Sequence, residues 1–91
     1  MSITITLPTV LAKLADDQRS IQATGATLGD AVADVAARYP TLAPRLRDAQ
    51  GAPYPFVTFY LNDEDIRFGG GFAGAVRDGD EVTVVPAIAG G

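Results

Sequence analysis

At 91 residues, 47% hydrophobic and 20% charged, the chain has material for one small folded domain and no second core. It contains neither cysteine nor histidine, which removes disulfides, thiolate metal sites, cysteine nucleophiles and the commonest general base. A net charge of −4 sets it against nucleic-acid phosphates, and its apolar stretches are too short to span a bilayer. Along the chain, Ile3, Ile5 and Leu7 alternate with Ser2, Thr4 and Thr6, the period-two pattern of a half-buried strand. That start also lacks the basic stretch of a signal peptide, so the cytoplasm is the expected compartment. Pro8 ends the strand, and Thr9 to Asp17, which holds Val10, Leu11 and Leu14 without a clear period, is expected as a connection. Arg19 to Ala23 is expected as a second strand, with Ile21 inward, forming a hairpin with the first. After Thr24-Gly25-Ala26, the residues Leu28, Ala31, Val32, Val35, Ala36 and Tyr39 recur at helical spacing, which predicts one long helix over Leu28 to Tyr39. Thr27 supplies its N-cap, Asp30 a weaker form of the capping box, and Pro40 the stop.

Thr41 to Pro55 is irregular, with Leu42 and Leu46 anchoring a single turn. Phe56 to Leu61 is dense in aromatic and β-branched residues and is predicted as a central strand. Asn62-Asp63 marks a tight turn before a short strand around Asp65 to Phe68. Gly69 to Gly74 is a glycine-rich loop, Asp78-Gly79 turns again, and Glu81 to Val85 alternates into a final strand with Val82 and Val84 on one face. The sum is an α+β fold, a mixed sheet of four to five strands with one main helix packed across it. Residues 1–86 are expected to form the domain and residues 87–91 a flexible tail.

That tail, Ala87-Ile88-Ala89-Gly90-Gly91, is the strongest chemical signal in the chain. Paired glycines are costly to order and pack against nothing, but their backbone is thin enough to enter a narrow active site. Five extended residues reach about 17 Å, enough to place the Gly91 carboxylate inside a partner while the domain stays outside. A terminal Gly-Gly arises by chance in about 0.5% of chains of average composition, so an idle frayed end is the weaker reading.

Other constellations carry less. Gly69, Gly71 and Gly74 match the spacing G-x-G-x-x-G, but no helix of useful length follows and no βαβ unit fits, so a loop needing positive φ or close backbone approach is expected. Asp63, Glu64 and Asp65, and again Asp78, Asp80 and Glu81, are expected as solvated turns, since neither group has the spacing of a calcium loop or the cleft of a carboxylate hydrolase. A second reading makes them a charged rim around the tail that docks a basic partner surface. No metal site is expected. On strand alternation Val57, Phe59 and Leu61 face one way and Phe56, Thr58 and Tyr60 the other, leaving aromatics on the open sheet face. Phe56, Tyr60, Phe68 and Phe72 are therefore the candidate partner interface. Basic residues are not interleaved with them, which excludes nucleic acid again.

Taken together, a hairpin, one helix, three further strands and a Gly-Gly tail resemble the ubiquitin-like (β-grasp) sulfur carriers of the MoaD/ThiS superfamily, over essentially the whole chain. The block Asp78 to Pro86 and the tail Ala87 to Gly91 carry this most specifically. Within the superfamily the stretches Ile3 to Thr9, Asn62 to Phe68 and Pro86 to Gly91 are most similar to the carriers of actinobacterial cysteine biosynthesis. The resemblance implies a carrier with no turnover of its own, and no bound cofactor. A ubiquitin-activating-like adenylyltransferase would consume ATP to adenylate Gly91, and a sulfur donor would displace AMP to leave a thiocarboxylate. That sulfur would be delivered to a PLP-dependent cysteine synthase, and a metal-dependent peptidase would release the cysteine. The small subunit of molybdopterin synthase, a ubiquitin-like protein modifier and a plain interaction module remain alternatives.

Overall fold

The alternating and helical patterns resolve, in the computed structural model, into a five-stranded sheet crossed by one helix; the structure describes residues 2–86. The expectations for the tail, Ala87, Ile88, Ala89, Gly90 and Gly91, lie outside the described residues. The strands are β1 (Ser2–Thr6), β2 (Ser20–Thr24), β3 (Val57–Leu61), β4 (Glu64–Asp65) and β5 (Glu81–Pro86). The helices are a single turn, α1 (Thr9–Ala12), and the long α2 (Leu28–Arg38). Strand order is β2-β1-β5-β3-β4. β1 runs parallel to β5, with Thr4 opposite Glu81 and Thr6 opposite Thr83, and the remaining pairs are antiparallel.

The core follows from the alternation. Ile3, Ile5, Ile21, Ala23, Phe59, Val82 and Val84 are buried on one face of the sheet, and α2 covers them with Leu28, Ala31, Val32 and Val35. Thr27 caps that helix as predicted, its hydroxyl accepting the Asp30 N–H at 3.1 Å, and the helix ends one residue early, with Tyr39 as its C-cap. Leu42 and Leu46 flank a 3-10 turn at Ala43–Arg45 and are both fully buried, each worth about 1.5–3 kcal/mol of transfer free energy.

Three expectations change. Thr9 to Asp17 is more than a connection: α1 and a 3-10 turn at Lys13–Ala15 tuck Leu11, Ala12 and Ala15 into the core, a burial too short to leave a period in the sequence. The central strand is β5, not β3. The last segment of the chain inserts between β1 and β3, a pairing between distant residues that local composition cannot report. Finally, the strand expected around Asp65 to Phe68 is only Glu64–Asp65. The Asp65 carboxylate accepts the Arg67 N–H at 2.9 Å and turns Ile66–Phe68 into a 3-10 turn.

Candidate functional site

Because β5 is the strand that leads into residues 87–91, the sheet fixes the position from which the tail departs. Its last residues are held in register against β3, Val84 opposite Phe59 and Pro86 opposite Val57. On the other side, β1 pairs with β5 only as far as Thr83; the chain then leaves the sheet at Pro8 and folds into α1. This leaves a depression of about 410 Å³ beside Pro86, walled by Val10, Leu11 and Leu14 on one side and Arg45, Tyr54, Phe56 and Val57 on the other. Val10 and Phe56 are among the few large apolar side chains left exposed, at 59% and 63%, and the Tyr54 ring meets Phe56 edge-on at 5.4 Å. Arg45 is the one charged residue in this lining.

The sequence-predicted interface aromatics are not brought together. Phe56 lies at the tail's root, as above. Tyr60 is half-buried in β3, opposite Thr83 of β5. Phe68 is 82% exposed at the end of the 3-10 turn that follows β4. Phe72 is partly buried, its ring edge-on to the core residue Phe59 at 5.1 Å, so its contacts are those of a core residue. Val10, Arg45 and Tyr54 escaped sequence reasoning because they come from three separate segments, none with a motif.

The acidic clusters do not rim the tail. Glu81 begins β5 and Pro86 ends it, so Asp78, Asp80 and Glu81 lie at the far end of the central strand. Asp63 and Glu64 lie at that same end, because Leu61 pairs with Val82. There the carboxylates build turns. Asp80 accepts the Arg77 backbone N–H at 2.8 Å and the Asn62 side-chain amide at 3.0 Å, bonds that hold its pKa below the usual carboxylate range. Asp65 is held low by the Arg67 guanidinium, then by the Arg67 backbone N–H, and it raises Arg67 in return. Among the described residues, no group of three or more acidic side chains is placed to hold a metal ion.

The glycine-rich loop is structural as well. The Gly74 carbonyl accepts the Leu28 N–H at 3.0 Å, so at the start of α2 the Leu28 and Asp30 amides are taken by Gly74 and by the Thr27 hydroxyl. Gly70 and Gly71 sit at φ +97° and +60°, and a Cβ on Gly74 would lie 2.9 Å from the Gly69 carbonyl oxygen.

Comparison with known proteins adds the following. The profile of the ThiS family matches residues 5–91. The sulfur carrier protein CysO of Mycobacterium tuberculosis is 45% identical over 93 aligned residues, covering all of both chains. The crystal structure of that CysO superposes with a TM-score of 0.85 over 94% of this chain and 99% of its own. The CysO chain in the crystal structure of the Amycolatopsis orientalis BexX/CysO complex gives a TM-score of 0.89 at 38% identity, over 98% and 99% of the two chains. Small archaeal modifier protein 3 of Haloferax volcanii is 39% identical over 66 residues, 72% of this chain and 71% of its own. Among the described residues, no helix is long and apolar enough to cross a membrane.

Proposed function

The chain belongs to the ThiS family and has its ubiquitin-like β-grasp fold, and from that membership we propose that it is a sulfur carrier acting through the carboxylate of Gly91. The observation that carries this reading is the extent of the family match, which runs through the domain and on to the final Gly-Gly. The chemistry follows from what a carboxylate lacks. It is a poor electrophile, so a ubiquitin-activating-like enzyme first transfers AMP from ATP to a Gly91 oxygen and releases pyrophosphate. A sulfur nucleophile then attacks the acyl carbon and expels AMP, leaving a thiocarboxylate. That group is anionic and nucleophilic at neutral pH.

In cysteine biosynthesis, the acceptor would be an aminoacrylate on a PLP-dependent synthase, and a metal-dependent peptidase would free the new cysteine from Gly91. The identity to CysO across the whole chain supports this branch over molybdopterin synthesis. The cytoplasm, where such enzymes work, is the proposed compartment. The similarity to a small archaeal modifier protein supports one second reading, a modifier that spends the same adenylate on isopeptide bonds.

The test is intact mass after incubation with ATP, sulfide and the activating enzyme of the same organism. A gain equal to sulfur replacing oxygen, present in the full chain and absent after deletion of Gly91, is the expected result. No gain, with an enzyme shown to be competent on another carrier, refutes the proposal.

A further inference from the structure

The turn that leads into β5 sets a carboxyl beside a backbone amide that can attack it. Asp78 is the only aspartate of the chain followed by glycine, the residue whose missing Cβ leaves its amide nitrogen least shielded. Both residues are exposed, and a Cβ at Gly79 would meet no atom within 4 Å, so crowding does not keep the two groups apart. Gly79 sits at φ +89°, in a turn closed by the Asp80 N–H donating to the Arg77 carbonyl at 3.0 Å. What restrains the pair is Ser2. The Gly79 N–H donates to the Ser2 carbonyl at 2.8 Å, and the Ser2 N–H donates to Asp78 Oδ1 at 3.0 Å. One residue thus grips the nucleophile by its proton and the electrophile by its oxygen. Ser2 begins β1 opposite Thr24 of β2, whereas the parallel pairing of β1 with β5 starts only at Thr4. Strand ends open more readily than the centre of a sheet.

We propose that Asp78 is a latent isoaspartate site guarded by the start of β1, so that it rearranges in chains whose Ser2 has come away. In the first step the Gly79 nitrogen bonds to Asp78 Cγ. The amide proton leaves with the hydroxyl of the protonated carboxyl as water, and a five-membered imide remains. Water then opens the ring at either carbonyl. Opening at the side-chain carbonyl restores aspartate. Opening at the main-chain carbonyl breaks the original peptide bond and leaves the backbone running through Cβ and Cγ, one atom longer, with the former main-chain carbonyl carbon as a free carboxylate. Nothing is oxidised or reduced. The extra atom displaces Asp80, whose carbonyl accepts the Thr4 N–H at 3.0 Å and whose carboxylate accepts the Arg77 N–H at 2.8 Å. The rearranged chain is therefore weakened where its central strand begins. Because both bonds to Ser2 must open together, the folded protein rearranges about tenfold or more slowly than the unfolded chain.

The experiment ages the full chain at physiological temperature and neutral pH, folded and unfolded in urea, and counts isoaspartate at position 78 by peptide mapping with fragmentation. The expected result is rapid accumulation at Asp78 in the unfolded chain, ahead of every other aspartate, and about tenfold or more slower accumulation in the folded one. Ser2→Pro removes the N–H that holds Asp78, a group the β1–β2 ladder does not use. Made with a short tag ahead of Met1, so that the proline is internal, it should rearrange at least about threefold faster than the tagged wild type. Circular dichroism shows whether it is folded. Hydrogen exchange of the Gly79 amide in the wild type is the second measurement, and its protection should match the slowing of rearrangement to within about tenfold. The proposal is overturned if folded and unfolded chains rearrange at one rate, or if Asp78 in the unfolded chain is no faster than the other aspartates. It is also overturned if folded Ser2→Pro matches the wild type. Should Ser2→Pro not fold, an unprotected Gly79 amide in the wild type overturns it. None of these readouts uses an activating enzyme, so the carrier reading stands or falls separately.

Discussion

Asn62 is the residue whose loss should most clearly separate backbone conformation from hydrogen bonding in this fold. It opens the β3–β4 turn at φ 49°, followed by Asp63 at 71°, the two left-handed residues of a tight hairpin. Its side chain also reaches across to β5: the amide donates to Asp80 and the carbonyl oxygen accepts the Glu81 N–H, both at 3.0 Å. Replacing it by alanine removes both bonds, worth about 0.5–1 kcal/mol each at an exposed site. Holding alanine in the left-handed region adds about 1 kcal/mol. Asn62→Ala should therefore cost about 2–3 kcal/mol, which lowers Tm by roughly 10–20 °C in a domain of this size. Asn62→Gly keeps the backbone unstrained and loses only the bonds, so it should fall between wild type and alanine. Thermal and urea unfolding followed by circular dichroism measures both. A loss under about 0.5 kcal/mol for alanine, or equal losses for alanine and glycine, would refute this account of the turn. At temperatures where both variants are folded, adenylation kinetics should match the wild type, because the turn lies at the opposite end of β5 from Pro86.

Asp80 and Asp65 have pKa values lowered by folding, so they contribute stability at neutral pH that is lost as pH falls through the folded value, below the ordinary 3.8. The gap in Tm between wild type and Asp80→Asn should therefore be constant from pH 7 to about pH 5 and shrink at more acid pH; a constant gap down to pH 2 would contradict this. Gly25→Ala should destabilise the fold by about 1–3 kcal/mol, read by urea unfolding, because its Cβ would lie 2.6 Å from the Ala31 nitrogen and 2.7 Å from the Asp30 Cβ. Asp63→Gly should stabilise by about 0.5–1 kcal/mol, since Asp63 is exposed and sits at φ 71°; an unchanged or lower Tm would count against it.

The parts of the fold legible in the sequence are those that carry their own period or cap. β1 alternates, α2 has an apolar stripe between Thr27 and Pro40, and Asn62-Asp63 names its turn type. The order of strands is not local. β5 lies between β1 and β3 because of pairings such as Thr4 with Glu81, and nothing near either residue announces the other. The acidic clusters are the exposed turns that composition suggested, whereas the second reading, a rim around the tail, could be decided only by which end of β5 they join. Phe72 looked like its exposed neighbour Phe68 because composition cannot distinguish a ring packed on Phe59 from one facing solvent. Of the candidate site, the Gly-Gly ending was plain in the sequence, whereas its surroundings required four segments to be folded together.

The prolines explain why those surroundings are side chains and not an extension of the sheet. Pro8 follows β1, Pro55 precedes β3 by two residues and Pro86 closes β5, all at the same end of the sheet. None can donate a backbone N–H to a ladder, and past Pro8 the chain leaves β1 and folds into α1. The lateral edges are blunted too. On β2 the outward groups are engaged by α2, with Asp34 accepting the Thr24 N–H and Arg38 donating to the Gln22 carbonyl. On the other side β4 is two residues long and turns away into the 3-10 turn at Ile66–Phe68. A partner that sought this protein by adding a strand would find little backbone on offer at either edge.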